Sequence, residues 1–241
     1  MKACYEREYY WRTSDFDCFG RVRAASVLDL FQDVAGCHAE ILGCGRAAEQ
    51  ALGRFWVLLC VKYEVLKQPE MFQKVKAATW PIEPKGIRFR REYRLLGENG
   101  ELLIKGTSLW TVLDINTRRP VIATNIYPEA DEYLTEEAFP SESIKPETVE
   151  PTRFSAEFTP KFSDFDFNMH VNNIRYADFV IDRAEFSEED EIKTLRIDYK
   201  KEIMAKDRIK IGFVREDNIL RAAAFDSDMQ TKFICKIELK N

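Results

Sequence analysis

The 241-residue chain carries 36 Lys and Arg against 41 Asp and Glu, for a formal net charge of −5, and 45% of its residues are hydrophobic. This composition is typical of a folded globular protein, and the negative charge gives no reason to expect a nucleic-acid partner. The longest apolar run, "FWVLLCV" at 55–61, is far shorter than the roughly 20 residues that cross a bilayer, so no membrane span is expected. The start, "MKACYEREYYWR", lacks the apolar core of a signal peptide, which predicts a cytoplasmic location.

The first half of the chain predicts one helix followed by four strands. An extended, aromatic-rich start at 5–12 precedes a helical pattern whose inward face holds Leu28, Phe31, Ala35, His38 and Leu42. Gly43 is a natural end for this helix. Strand-like runs follow at 55–66, 72–82, 87–96 and 101–114. The position of His38 inside the apolar face favours a structural role for this histidine.

The second half repeats this order. An extended segment at 153–160 precedes a helical pattern near 173–186, whose inward face holds Ile174, Ala177, Ile181 and Ala184. Strand-like runs follow at 194–202, 208–214, 219–225 and 230–239.

The two halves are separated by an acidic, proline-rich segment, 128–151, which lacks apolar periodicity. We therefore expect a linker there, between an N-terminal domain at 1–127 and a C-terminal domain at 152–241. One long helix followed by a meander of strands indicates an α+β fold, in which an antiparallel sheet wraps around one long helix in each domain.

One phrase of the sequence is written twice, as "SDFDCFGRVRA" at 14–24 and as "SDFDFNMHVNN" at 163–173. A shift of 149 residues aligns 14–35 with 163–184 without a gap, and eight of the 22 aligned positions are identical. A period this long indicates two copies of a whole domain rather than a solenoid repeat.

The second copy of the phrase carries polar groups that the first copy lacks. Asp166, Asn168 and His170 are two residues apart, and in extended backbone they would share one face. Phe19 and Arg21 occupy the places of the Asn and the His in the first copy. A turn or helix cap would be needed equally in both copies, so the difference favours proton chemistry at His170 over a purely structural role.

The residues around this triplet complete the predicted site. In the same extended backbone Phe167, Met169 and Val171 would point to the other side, into apolar surroundings. Asn172 or Asn173 would cap the following helix, and the free amide hydrogens at the start of that helix could stabilise an oxyanion on an attacked carbonyl.

Other kinds of site find little support. There is no GxSxG elbow for a serine nucleophile, and two histidines without a cysteine cluster argue against a metal site. The six cysteines include no CxxC, so we expect reduced and mostly buried thiols. The basic run "KGIRFRREYR" at 85–94 has the alternation of a half-exposed strand, which favours a solvated sheet face over a docking site for an acidic partner.

Several stretches resemble the acyl carrier protein (ACP) thioesterase family of plants and bacteria. In the second half these are "DFDFNMHVNNIRYADFV" and "LRIDYKKE"; in the first half they are "GRVRAASVLDLFQDVAGCHAEILG", "FWVLLCVKYEV" and "GELLIKGTSLWTVLDINTRRPV". The resemblance implies two tandem hotdog domains, the N-terminal one binding the acyl chain and the C-terminal one catalytic. It also implies hydrolysis of fatty acyl-ACP to free fatty acid and ACP, with no cofactor besides the phosphopantetheine that the substrate carries.

The family's catalytic positions carry over to Asp166, Asn168, His170 and Glu202. Members often have a cysteine after the glutamate, and Ile203 stands there in this chain, which favours direct attack by water over a cysteine nucleophile. Either Glu202 or His170 could serve as the general base. A shift of 136 residues places Leu66 on Glu202, so the first copy also lacks the carboxylate.

Two other functions remain as alternatives. An acyl-CoA thioesterase on the same fold would use the same chemistry on a different carrier of the pantetheine. A non-catalytic module that binds acyl chains fits less well, because the full set of polar residues is present. Homodimerisation stays open, since two fused hotdog domains already satisfy the pairing that a single one needs.

Overall fold

The computed structural model describes residues 3–122, 126–130, 132–140 and 148–240. The chain divides into two compact units, Met1–Val22 with Val27–Ser141 and Arg23–Ser26 with Glu142–Asn241. None of the helices in the described part of the chain has the length and apolar character needed to cross a membrane.

The first unit contains an antiparallel sheet of five strands in the order β1-β3-β4-β5-β2. Its strands are β1 Tyr5–Tyr10, β2 Arg54–Val65, β3 Lys74–Pro81, β4 Phe89–Leu96 and β5 Leu102–Asp114. Its helices are α1 Ala24–Ile41 and α2 Arg46–Ala51. The sequence predicted the long helix, the extended segment before it and the four strands after it, and the ends of all five strands are displaced by two residues at most.

The apolar face of α1 packs against the sheet as its periodicity indicated. Phe31 stacks on Tyr93 of β4 with ring centroids 4.2 Å apart and meets Tyr63 of β2 edge-on at 6.4 Å. Gly106 of β5 makes room for this ring, because a Cβ there would lie 2.2 Å from a Phe31 ring carbon. Gly43 ends the helical segment with a φ of +73°. His38 is 1% exposed, so the predicted burial of this histidine is confirmed.

Part of the segment expected to be a linker packs on the first unit. Ala130 and Tyr133 pack against a buried apolar cluster that includes Phe89 and Val112. Farther along, the Glu136 carbonyl accepts a hydrogen bond from the Trp80 indole at 2.9 Å, and the Ala138 N–H donates to buried Glu92 at 2.7 Å. The first unit therefore extends past 127, since these residues satisfy polar groups of its sheet. Residues 141–147 of the predicted linker lie outside the described residues.

The basic run at 85–94 forms β4 and its approach, and its arginines are engaged within the first unit. Arg90 pairs with Glu92 at 2.6 Å and with Glu137 at 2.8 Å. Arg91 is 5% exposed and lies 3.0 Å from the Nδ1 atom of His38. These contacts give the run a structural role, but they correct the predicted solvated sheet face, because every residue of β4 is buried or half-buried.

The second unit contains an antiparallel sheet in the order β7-β10-β9-β8-β6. Its elements are β6 Arg153–Phe154, α3 Arg175–Ile181, β7 Ile192–Tyr199, β8 Lys210–Glu216, β9 Ile219–Phe225 and β10 Thr231–Leu239. Here the predicted helix 173–186 was too long, and only two residues of the predicted extended segment 153–160 form a strand.

The shortness of α3 has a local cause. Helix-type hydrogen bonds continue as far as the Ala184 N–H, which donates to the Val180 carbonyl at 2.9 Å, but Glu185 then takes a left-handed φ of +59°. The helix still buries one face against its sheet, since the Tyr176 ring meets Tyr199 and Phe233 edge-on with centroids 5.0 and 4.9 Å away. The α+β arrangement of helix and antiparallel sheet is thus present in both units.

Candidate active site

Asp166 organises the phrase that carries the candidate catalytic residues into a tight turn. Its N–H donates to the His170 carbonyl at 2.8 Å, and its Oδ1 atom accepts the N–H groups of Asn168 at 2.8 Å and of His170 at 3.3 Å. A β-bridge between Phe165 and Val171 closes the turn. This is an Asx-type turn, in which the carboxylate of Asp166 takes the place of a backbone carbonyl as acceptor for the N–H groups of Asn168 and His170.

The first copy folds into the same turn. The Asp17 N–H donates to the Arg21 carbonyl at 2.8 Å, and Asp17 Oδ1 accepts the N–H groups of Phe19 and Arg21, each at 2.9 Å. Gly20 holds a φ of +76° where Met169 holds +63°. The aspartate shared by the two copies therefore has a structural role, since it forms the same turn in each.

The turn corrects the extended backbone that the sequence suggested. Phe167 and Met169 do not point into apolar surroundings, because their side chains are 70% and 62% exposed. Only Val171 of that alternating set is buried. Asn168 and His170 are held near Asp166 by the turn rather than by the alternation of a strand, and the Asn168 Nδ2 atom lies 3.5 Å from Asp166 Oδ2.

His170 and Glu202 meet across the second unit. The His170 Nε2 and Glu202 Oε2 atoms are 3.7 Å apart, and the two side chains remain 30% and 37% exposed. This separation exceeds a direct hydrogen bond, yet two polar atoms 3.7 Å apart can both lie within about 3 Å of one water oxygen. The pair can thus hold a water molecule and accept its proton.

Backbone contacts hold the two partners in register. The Val171 N–H donates to the Ile203 carbonyl at 3.1 Å, which ties the residue after His170 to the residue after Glu202. Tyr176 of α3 also hydrogen-bonds the backbone at Ile203. Burial is the main cause that raises the pKa of Tyr176, so the phenol stays neutral in this role.

Sequence reasoning missed Lys232, which holds the backbone of the Glu202 segment through a hydrogen bond. This lysine of β10 is 8% exposed, and its Nζ atom donates to the Glu202 carbonyl at 3.2 Å and to Asp207 Oδ2 at 2.8 Å. Asp226 lies 3.6 Å away from the same ammonium. The sequence could not indicate this role, because Lys232 lies 25 residues from Asp207 and 30 residues from Glu202 along the chain.

The first unit differs at the corresponding place. The N–H groups of Leu66 and Lys67 both donate to the Leu103 carbonyl. In the second unit the N–H groups of Lys200 and Lys201 both donate to the Lys232 carbonyl. This pattern aligns Gln68 with Glu202, two residues from the alignment that the sequence suggested. The Gln68 Oε1 atom accepts the Val22 N–H at 3.2 Å. In the second unit the Ile203 carbonyl accepts the equivalent Val171 N–H at 3.1 Å, so the Glu202 side chain is not the acceptor of this bond.

The prediction that Asn172 or Asn173 caps the helix is wrong, because the N-cap of α3 is Ile174 and has no side-chain cap hydrogen bond. The Asn172 N–H donates to the Asp164 carbonyl at 2.8 Å, and the Asn172 side chain accepts the Ile174 N–H at 3.2 Å. Asn173 uses its carbonyl to accept the Tyr199 hydroxyl at 3.0 Å. The Asn173 N–H is thus the better placed of the two amides for an oxyanion, because that of Asn172 is already committed.

The cysteines agree in part with expectation. All six are free thiols, but Cys44 and Cys235 alone are buried, and Cys18 is exposed. Burial raises the pKa of Cys44 to about 12, so this thiol is not a nucleophile near neutrality. Among the residues that the structure describes, no three His, Cys, Asp or Glu side chains are grouped so as to hold a metal ion.

Two family models match the chain. The model described as "Acyl-ACP thioesterase N-terminal domain" matches residues 2–130, and the model described as "Acyl-ACP thioesterase C-terminal domain" matches residues 148–241.

Curated relatives come from plants. Oleoyl-acyl carrier protein thioesterase 2 of Arabidopsis thaliana, a chloroplastic protein, is 27% identical over 224 residues, 84% of this chain and 60% of that protein. The chloroplastic acyl-[acyl-carrier-protein] hydrolase FATB3 of Cuphea viscosissima is 27% identical over 199 residues, 75% of this chain and 48% of that protein. The chain thus spans about half to three fifths of the length of these relatives.

Solved structures match over nearly the whole chain. An acyl-ACP thioesterase from Bacteroides thetaiotaomicron has a TM-score of 0.85 at 22% identity, covering 99% of this chain and 98% of that one. The 12:0-ACP thioesterase from Umbellularia californica has a TM-score of 0.88 at 19% identity, covering 99% and 97%. These similarities confirm the predicted α+β fold with two hotdog domains.

Proposed function

Because the chain belongs to the acyl-ACP thioesterase family, we propose that it hydrolyses fatty acyl-ACP to free fatty acid and ACP. The observation that carries this proposal is the approach of His170 and Glu202 to 3.7 Å. His170 lies on a turn whose copy in the first unit holds Arg21 instead of a histidine. The same turn forms in the first unit without a histidine, so the fold does not require His170 at this position.

The first step of the proposed mechanism activates a water. Glu202 and His170 hold one water between them, and a proton leaves this water for the pair as its oxygen attacks the thioester carbonyl. The pair shares the proton, and the geometry assigns the general base to neither residue alone. Because both side chains are partly exposed, water has direct access to them.

The second step expels the thiol. The attack places negative charge on the carbonyl oxygen, and the Asn173 N–H at the start of α3 is the donor that we propose for it. The carbon–sulfur bond then breaks, the proton passes from the pair to the departing sulfur, and the phosphopantetheine of ACP leaves as a thiol. No protein cofactor takes part in this scheme.

Asp166 and Asn168 have supporting roles in the proposal. Asp166 fixes the backbone on both sides of Asn168, as its bonds to the two N–H groups indicate. The Asn168 amide, held beside Asp166, is available to orient the water or the thioester carbonyl. We therefore assign positioning to Asp166, and contact with the reacting groups to Asn168.

The direct test replaces the two reacting side chains. His170→Ala and Glu202→Gln should each lower kcat on acyl-ACP by about 100-fold to 10,000-fold, the range expected for loss of general acid–base catalysis. Circular dichroism and thermal unfolding should stay close to those of the unchanged protein, since both side chains are partly exposed. Near-normal turnover in either variant would contradict the assignment.

Arg21 supplies the matched control. It stands in the first unit where His170 stands in the second, on the same type of turn. Arg21→Ala should keep kcat within a factor of about three, because the ion pair of this side chain with Asp17 and its stacking over the Phe19 ring both lie within the turn of the first unit.

The runner-up, an acyl-CoA thioesterase, would share all these groups. Turnover of one acyl chain on ACP and on CoA separates the two, and a strong preference for CoA would favour the runner-up. A non-catalytic acyl-binding module would release no free fatty acid from either carrier. The binding of the acyl chain by the N-terminal domain, the cytoplasmic location and homodimerisation stay predictions from the sequence, and the plant relatives are chloroplastic.

A further inference from the structure

Large apolar side chains stand exposed around the candidate active site. Phe162 is 94% exposed, Phe167 70%, Met169 62% and Met204 41%. Phe167 and Met169 alternate with Asn168 and His170 in the catalytic turn, and Met204 lies two residues after Glu202. Scattered apolar side chains are normal on a surface, but four beside one site suggest a binding surface.

The fold does not require these residues. The repeat aligns Phe162, Phe167 and Met169 with Thr13, Cys18 and Gly20, which are exposed in the first unit as well. Both turns have the same hydrogen bonds, so small or polar residues satisfy them equally. Met169 even takes the left-handed conformation that Gly20 adopts without strain. At these three positions the apolar character therefore belongs to the second unit alone, although Phe19 is exposed elsewhere in the turn of the first unit.

Exposed lysines flank these apolar residues along the chain. Lys161 precedes Phe162, and Lys200 and Lys206 stand on either side of Glu202; all three lysines are exposed. The neighbouring carboxylate of Asp207 is engaged by the buried ammonium of Lys232. A local excess of positive charge therefore borders the site, although the whole chain has a net charge of −5.

We propose that Phe162, Phe167, Met169 and Met204, with Lys161, Lys200 and Lys206 at their rim, form the docking surface for an acidic acyl carrier protein. This inference rests on the proposed function and adds to it the surface that recognises the carrier. The apolar side chains cover an apolar patch around the pantetheine attachment point. The lysines steer the carrier's carboxylates toward the site and fix its orientation.

The placement of the surface favours a carrier protein over a lipid bilayer. Phe167 and Met169 lie in the same turn as Asn168 and His170, so anything that covers them also covers the approach to the reacting pair. A bilayer at this place would exclude a substrate attached to a protein. A partner that carries the thioester instead delivers it as it docks.

The test compares substrates with and without the carrier. The pairs Lys200→Glu with Lys206→Glu, and Phe162→Ser with Met204→Ser, are introduced into the full chain. Each pair should lower the ratio of kcat/KM on acyl-ACP to kcat/KM on the same acyl group as a pantetheine thioester by about tenfold. The charge-reversed pair should also lose the decrease of kcat/KM with added NaCl that the unchanged protein shows on acyl-ACP.

Controls of the same chemistry lie in the first unit. Lys85→Glu with Arg88→Glu reverses two charges on an exposed loop, and Leu52→Ser removes a side chain that is 62% exposed. Both should leave the ratio within a factor of about two. An equal fall in the ratio for these controls would overturn the proposal, because the effect would then come from overall charge or apolar content.

A binding measurement separates this proposal from the proposed function. Holo-ACP, which carries no acyl group, should bind the unchanged protein and bind the charge-reversed pair about tenfold more weakly. Suppose that acyl-ACP is hydrolysed, but the double variants keep the kcat/KM ratio and the holo-ACP affinity of the unchanged protein. The proposed docking surface is then wrong, and the proposed function stands. If no thioester is hydrolysed but holo-ACP binding follows the lysines, the function fails and the surface stands. Sedimentation with phosphatidylglycerol vesicles that depends on Lys200 and Lys206 would overturn the carrier in favour of a lipid surface.

Discussion

Replacing Asp166 tests whether the turn, rather than the charge of this residue, positions the reacting groups. Asp166→Ala removes the acceptor of two N–H groups, at 2.8 and 3.3 Å. Hydrogen bonds to a charged acceptor contribute about 1.5–3 kcal/mol when buried, but the carboxylate is partly exposed and water can replace it. We expect the free energy of unfolding to fall by about 1–2 kcal/mol.

The effect on activity should be larger than the effect on stability. Without the acceptor the backbone at Asn168 and His170 loosens, and a displacement of about 1 Å at a reacting group can lower the rate about 100-fold. We therefore expect kcat/KM on acyl-ACP to fall about 100-fold in Asp166→Ala. Asp166→Asn keeps an acceptor oxygen for the same N–H groups and should retain activity to within about tenfold.

The chain supplies its own control for this experiment. Asp17 makes the same two bonds in the first unit, both at 2.9 Å. Asp17→Ala should lower stability to a similar degree in urea unfolding, while kcat/KM stays within a factor of about three. Equal losses of activity in Asp17→Ala and Asp166→Ala would refute the local argument. Equal losses in the Ala and Asn variants of Asp166 would show that the charge itself acts in catalysis.

Three further outcomes are expected. Lys232→Met should lower the free energy of unfolding by about 3 kcal/mol, because Asp207 loses its buried cation. It should also lower kcat about tenfold, because the backbone of Glu202 loses a hydrogen bond that positions it. An unchanged urea unfolding curve would contradict this. Iodoacetamide should label Cys18, as mass spectrometry would show, and spare buried Cys44 without loss of activity. Burial opposes ionisation of Asp190, but its arginine and serine partners outweigh this and lower its pKa. The stability that Asp190 contributes is thus present above its unfolded pKa of about 3.9 and is lost as the pH falls below it. In Asp190→Asn the free energy of unfolding, measured by urea titration, should therefore fall less between a pH of about 6 and a pH of about 3.

The regular elements were predictable because their signal is local. The inward face of α1, from Leu28 to Leu42, follows the period of a helix, and four strands of the first unit alternate or run apolar as buried strands do. The doubled phrase identified a duplicated domain, and the contrast of His170 with Arg21 predicted which half carries proton chemistry. Each of these inferences uses residues that are close in sequence.

The predictions failed where backbone conformation depends on side-chain hydrogen bonds. Period-two alternation suggested an extended phrase around Asn168, but the Asp166 carboxylate folds it into a turn and exposes Phe167. The predicted C-terminal helix was too long, because Glu185 adopts a left-handed conformation that no periodicity signals. Proline-rich composition suggested a linker where the Ala138 N–H satisfies buried Glu92.

Patterns within short stretches of the chain therefore predicted the duplication, the order of elements and the half that holds the candidate catalytic residues. Family resemblance added Glu202, but only the tertiary structure brought its carboxylate to 3.7 Å from His170 and placed Lys232 beneath it. The physical reason is that the Val171 to Ile203 bond and the ladder between β7 and β10 join segments far apart in the chain. Local patterns encode which face of an element is buried, whereas such long-range contacts decide which polar groups meet.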